Sequence, residues 1–102
     1  MDKIFKAMAD KNRRKIITIL KESESSVNGL LKSFDISQAT LSNHLAILRK
    51  ANLVSCRVLG KQRIYRLNDE ILSLFVAELK RFGGFGDVEV KSDLQIRGKR
   101  NV

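Results

Sequence analysis

Cysteine and histidine each occur once in this 102-residue chain, as Cys56 and His44. One cysteine excludes an intrachain disulfide and any metal site built from a cysteine cluster. There is no signal-peptide core and no apolar run long enough to span a bilayer, so the cytoplasm is expected and a membrane is not a partner. Catalytic patterns are missing too: there is no carboxylate pair in a recognisable motif and no Ser/His/Asp context. The one glycine-rich stretch, Gly83-Gly84-Phe85-Gly86, follows a helical pattern instead of preceding one, as a phosphate loop would. The expectation is that the chain is not an enzyme and takes no cofactor. Internal repeats and low-complexity tracts are also absent.

Acidic residues are scarce beside basic ones: 11 Asp+Glu stand against 20 Lys+Arg, a net charge of +9. Residues 1–82 hold 16 of the basic and 8 of the acidic residues, so the excess belongs to the body of the chain. A folded domain with that imbalance suits a polyanion, nucleic acid ahead of a membrane surface, although a soluble basic protein without such a partner is the plainer reading. The length allows one small domain, and association is a natural way to enlarge so small a core.

What is present centres on Ser37 to Lys50. Leu41, Leu45 and Leu48 recur at i, i+4 and i+7, one apolar stripe on a helix that Ser37 caps. The opposite face carries Gln38, Ala39, Ser42 and Asn43, which are small or polar and uncharged. A helix lying in a DNA major groove needs such groups, and Gln and Asn can pair bidentately with adenine. A solvated Ser/Asn-rich helix is the alternative.

Upstream, Asp2 can cap a first helix through about residue 9, with Ile4, Phe5 and Met8 facing inward. Asp10 caps a second, whose start is crowded with Lys11, Arg13, Arg14 and Lys15 ahead of Ile16, Ile17 and Leu20. Cations there oppose the helix dipole, so phosphate contact is one compensation and a solvated basic turn the other. Ser23 to Ser26 form a polar link that offers caps for a third helix bearing Val27, Leu30, Leu31 and Phe34. Only Asp35-Ile36-Ser37 then separates it from the central helix, the layout of a helix-turn-helix, with Asp35 in the place where a turn glycine is common. Downstream, strands at residues 53–58 and 63–67 flank Leu59-Gly60-Lys61-Gln62. With Arg57, Lys61, Arg63 and Arg66 this hairpin reads as a wing over the DNA backbone in preference to a plain ribbon. Asn68 or Asp69 caps a last helix in which Ile71, Leu72, Leu74, Phe75, Val76, Leu79 and Phe82 cover more than one core stripe needs. Homodimerisation through this helix, with the first beside it, accounts for the surplus, the interface being Ile4, Phe5, Leu72, Phe75, Val76 and Leu79. The expected fold is therefore mainly α with a small β-hairpin, a dimeric winged helix-turn-helix of order α-α-α-α-β-β-α. Residues 1–82 form its DNA-binding and dimerisation domain, and 83–102 a flexible or loosely docked tail.

This order, with several residue strings, resembles the ArsR family of winged-helix bacterial repressors over roughly residues 2–82. The strings are Phe5-Lys6-Ala7-Met8-Ala9-Asp10, Arg13 to Ile17, Ile36-Ser37-Gln38-Ala39-Thr40-Leu41-Ser42-Asn43-His44-Leu45, Leu48 to Val54, and Gly60 to Asn68. Within the family the chain looks most like the metal-independent SdpR-type autorepressors. Metal-sensing members carry a Cys-Val-Cys motif where this chain has Ser26-Val27-Asn28, and others place His and carboxylates on the last helix, which here has no His. Zinc, cadmium and arsenite sites need those ligands, so the family's metal sites are not built. The family's usual Asp-Pro-Thr is replaced by Asp10-Lys11-Asn12.

The resemblance implies a homodimer on double-stranded DNA, its two recognition helices in successive major grooves of an inverted repeat, with half-sites about 34–36 Å apart. It assigns base reading to Gln38, Ala39, Ser42 and Asn43, and backbone or wing contacts to Thr40, His44, Lys61, Gln62, Arg63 and, more weakly, Arg13. For His44 a partly buried, backbone-paired histidine competes with phosphate contact. The function implied is operator-specific repression released by an unknown inducer or protein partner. A thiol-responsive switch at Cys56 and a protein-interaction module without specific DNA binding are the alternatives.

Overall fold

Among the described residues, five helices and three strands run in the order α1 (Asp2–Met8), α2 (Lys11–Glu22), β1 (Ser25–Ser26), α3 (Val27–Leu31), α4 (Gln38–Lys50), β2 (Val54–Leu59), β3 (Gln62–Leu67) and α5 (Asp69–Gly83). They come from a computed structural model that describes residues 1–83; the expected tail beyond Gly83 lies outside the described residues. The mainly helical winged architecture is the one expected. One strand was not foreseen: Ser25 and Ser26 pair antiparallel with Tyr65 and Ile64, making a three-stranded sheet of order β1-β3-β2. Two serines carry no strand signal, and only the exposed edge of β3 draws them into pairing.

Helix starts follow local capping chemistry. Asp10 Oδ1 accepts the amides of Asn12 at 2.8 Å and Arg13 at 3.1 Å. Ser26 Oγ accepts from Gly29, Ser37 Oγ from Thr40, and Asn68 Oδ1 from Ile71. Asp2 is the exception: it lies inside α1 behind Met1, where its charge suits the positive end of the helix dipole without capping it.

The turn of the helix-turn-helix is longer than expected. After Leu31 the amides of Ser33 and Phe34 bond back to Leu30 at 2.9 Å and Leu31 at 3.1 Å. These tighter i−3 bonds end α3 early, so the link runs from Lys32 to Ser37. Phe34 still packs on the core from within the turn. Asp35 adopts no left-handed conformation; the one non-glycine residue with positive φ among the described residues is Asn52, at 61°. It follows α4, where the Asn52 amide reaches Arg49 O at 2.9 Å and the Leu53 amide reaches Leu48 O at 3.0 Å. That is a Schellman ending, with asparagine tolerating the conformation glycine usually takes.

The core forms where α2, α3 and α4 meet the sheet. Leu41, Leu45 and Leu48 of α4 are completely buried, together with Ile16, Leu30 and Leu53. Two residues expected at a dimer interface belong to this interior as well. Ile4 and Phe75 are buried within the single chain, Phe75 edge-on to Phe5 with ring centroids 5.2 Å apart. In a domain this small, α1 and α5 cover part of each other, which uses up the inner part of their apolar surface. What α5 leaves bare is Leu74 at 53 %, Val76 at 42 % and Phe82 at 66 % exposure.

Candidate nucleic-acid interface

Burial of the leucine stripe turns the other side of α4 outward. Gln38, Ala39, Ser42 and Asn43 are all exposed there, and at i, i+1, i+4 and i+5 they share one face. Thr40 is exposed beside them and accepts a 3.0 Å hydrogen bond from the Ser37 hydroxyl. No acidic side chain lies in the first turn of α4, and Arg49 and Lys50 occupy its last.

The wing stands across from this face. Leu59 pairs with Gln62, so Gly60-Lys61 is a two-residue turn. Gly60 has φ +65°, and a Cβ there would meet no neighbour, so the demand for glycine is purely conformational. Lys61, Gln62 and Arg63 are exposed at this tip, next to the apolar and equally exposed Val58 and Leu59. An open cleft of about 400 Å³ separates wing from helix, with Gln38 and Ser42 on one wall, Lys61 and Arg63 on the other, and Ser26 and Asn28 at its end. Ser26 and Asn28 escaped the sequence reading as cleft residues: Ser26 counted among the offered helix caps, and both as positions lacking a metal motif. The approach of α3 to the wing, which β1 enforces, is what brings them in.

Not every cation of the wing faces outward unmatched. Arg57 holds Glu24 bidentately at 2.7 and 2.8 Å. The hydrogen bond lowers the Glu24 pKa and raises that of Arg57. Cys56 lies opposite Tyr65 in the β2–β3 ladder, half-buried, with Arg63 Nη1 3.9 Å from its sulfur. Burial, followed by the thiol, pushes the Tyr65 hydroxyl pKa up. Among the described residues no group of three or more His, Cys, Asp or Glu is placed to hold a metal ion.

Arg13 and His44, expected at DNA phosphates, are placed differently. Arg13 turns its guanidinium inward: Nε donates to Ala7 O at 2.7 Å, Nη2 to Lys6 O at 3.1 Å and Nη1 to His44 Nδ1 at 3.2 Å. His44 is buried at 9 % exposure. Its partner is this side chain and not backbone, and Asp10 Oδ1 lies 4.0 Å from the same nitrogen. The neighbouring cations behave alike: Arg14 donates to Met8 O at 2.8 Å and Lys15 to Ser33 O at 2.6 Å. The basic start of α2 is therefore compensated by carbonyls at or just beyond the ends of α1 and α3, where the helix dipole is negative.

The comparisons agree with this architecture. The family model described as "Bacterial regulatory protein, arsR family" matches residues 10–55. The transcriptional repressor SdpR of Bacillus subtilis (strain 168) is 33 % identical over 87 residues, 85 % of this chain and 97 % of that protein. The transcriptional activator HlyU of Vibrio cholerae is 35 % identical over 78 residues, 76 % of this chain and 72 % of that one. Among solved structures, a possible transcriptional regulator for arsenical resistance superposes with TM-score 0.74 at 33 % identity, covering 80 % of this chain and 84 % of its own.

Asp10 yields a pH prediction. Burial raises its carboxyl pKa, but the amides of Arg13 and Asn12, helped by the nearby His44 ring and the charge of Arg13, outweigh this and hold it below the ordinary value. Folding thus favours the ionised form, so the stabilisation is complete above the unfolded carboxylate value, near pH 4, and drains away as pH falls through the folded one. Asp10→Asn keeps a capping oxygen and should flatten this acid-side loss in urea titrations between about pH 5 and 2. An unchanged acid slope would show that Asp10 is not its source.

Proposed function

The chain belongs to the arsR family of bacterial regulatory proteins, and we propose that it is a sequence-specific transcriptional repressor acting as a homodimer on an inverted-repeat operator. One observation carries the reading: an uncharged, exposed helix face and a cationic wing tip border the same cleft. The helix supplies groups that read base edges without repelling phosphate, and the wing supplies charge for the backbone. In this reading Gln38 and Asn43 pair with base edges, Ser42 adds a hydroxyl contact, and Ala39 meets a thymine methyl. Thr40, Lys61, Gln62 and Arg63 hold the backbone, and Ser26 and Asn28 border its path. Arg13 and His44, having inward partners, are left out of the contact set.

Residues 1–82 act as the DNA-binding and dimerisation domain. The second protomer covers the outer side of α5, where Leu72, Val76 and Leu79 join the exposed Leu74 and Phe82, with Phe5 of α1 beside them. Ile4 and Phe75 support this surface from behind. Regulation runs without the Cys-based metal site, since Ser26 caps α3 where metal-sensing members carry a thiolate; the inducer is a different molecule or a protein. The protein works in the cytoplasm and is not an enzyme. That one relative is named as an activator makes the sign of regulation a separate question, which a promoter–reporter assay answers directly.

Selection of bound duplexes from a random pool near physiological salt should enrich a pseudo-palindrome with half-sites about one helical turn apart. Binding without enrichment would leave only charge-driven association and overturn the proposal. On the selected operator, Asn43→Ala should cost about 1–3 kcal/mol and relax preference at a single base position; loss spread evenly over all positions would remove Asn43 from base reading. Lys61→Ala should weaken every sequence alike and reduce the slope of log K against log salt by about one. A sequence-selective loss would instead make Lys61 a base reader.

A further inference from the structure

We infer that Arg13 is a positioning residue for DNA recognition: it fixes the orientation of α4 through His44 and ties it to the end of α1. The inference rests on the repressor reading and names what holds the reading face in place.

All three guanidinium nitrogens are engaged, and on two different elements. Nε and Nη2 take the carbonyls of Ala7 and Lys6 at 2.7 and 3.1 Å, while Nη1 takes Nδ1 of His44 at 3.2 Å. The Arg13 amide is itself held by Asp10 at 3.1 Å, which fixes the root of the side chain at the first turn of α2. One residue thus joins α1, α2 and α4. A guanidinium only donates, so Nδ1 must accept, and the ring proton of the neutral imidazole sits on Nε2.

The position of His44 gives this joint its consequence. Next to it in sequence stand Asn43, exposed on the reading face, and Leu45, completely buried. Leucine burial sets which side of α4 faces inward, but it is non-directional and fixes the helix's rotation less finely than a hydrogen bond does. A planar fork anchored at two carbonyls and aimed at one ring nitrogen is directional. Bidentate base pairing needs the reading residues placed to within about half an ångström, and Asn43 is one residue from the anchor. Lysine cannot replace Arg13 here, since it keeps the charge and loses the fork.

The test compares the full chain with Arg13→Lys and Arg13→Gln on the selected operator and on a scrambled duplex, over a range of salt. Both variants should lose about tenfold or more in the ratio of specific to nonspecific affinity, the scale of one mismatched base pair, while the salt slope on scrambled DNA stays at the wild-type value. A wild-type ratio in Arg13→Lys, or a slope reduced by about one, would make Arg13 a charge contact to phosphate and overturn the inference. His44→Gln, whose carbonyl can accept from Arg13, should keep the ratio, and His44→Leu should lose it; these variants decide the matter should the Arg13 variants fail to fold. Because His44 is the only histidine, nitrogen NMR of its ring reads the joint without DNA. Nδ1 should appear as an unprotonated acceptor whose resonance moves in Arg13→Lys, and an unmoved resonance would overturn the inference. A wild-type protein that does not discriminate between duplexes would sink the repressor reading, and the ring resonance would still decide whether Arg13 holds α4.

Discussion

Complete burial of Leu41, Leu45 and Leu48 is the constraint on which the rest of the molecule depends. These residues commit one side of α4 to the interior, and helical geometry then leaves Gln38, Ala39, Ser42 and Asn43 outside. The helix can be stable and still present an uncharged outer face because its stability comes from packing and from the Ser37 and Asn52 ends, not from surface ion pairs. The three-stranded sheet and α2 form the other wall of that core, so the wing and α4 are positioned by one packing event.

The basic residues divide into two groups by what surrounds them. Arg13, Arg14 and Lys15 reach back to main-chain carbonyls, and Arg57 is matched by Glu24. These side chains bind the domain to itself, and their exposed charge contributes little to stability where water screens it. Lys61 and Arg63 stand at the mouth of the cleft, and among the described residues neither forms an ion pair. A net charge of +9 therefore overstates the cationic surface turned toward the cleft.

Much of the architecture was legible along the chain because its signals are local. Apolar spacing marked every helix, Asp10, Ser26 and Ser37 marked caps, and Gly60 marked the hairpin turn. The readings that failed lay at the ends of elements or depended on partners distant in sequence. Phe34 continued the periodicity of α3, yet the chain leaves the helix before it. Asp35 filled the usual place of a left-handed residue, but that conformation belongs to Asn52, where α4 has to stop and turn into β2. For the candidate site the division is the same. The uncharged outer face of α4 and the wing tip could be named from sequence, whereas Ser26 and Asn28 in the lining of the cleft could not.

By itself the sequence determined the order of the helices, which face of the central helix is apolar, and which family the chain belongs to, since caps, periodicity and motif spacing are all encoded within a few residues. Only the tertiary structure decided that Ser25 and Ser26 would complete a sheet, that Ile4 and Phe75 would be buried within one chain, and that Arg13 would meet His44. Those outcomes depend on residues 31 to 70 positions apart being brought together by the shared core. A cation near a helix start reads the same in sequence whether its acceptor is a phosphate or a carbonyl six residues back, and the packing of α1 against α2 supplies the carbonyl.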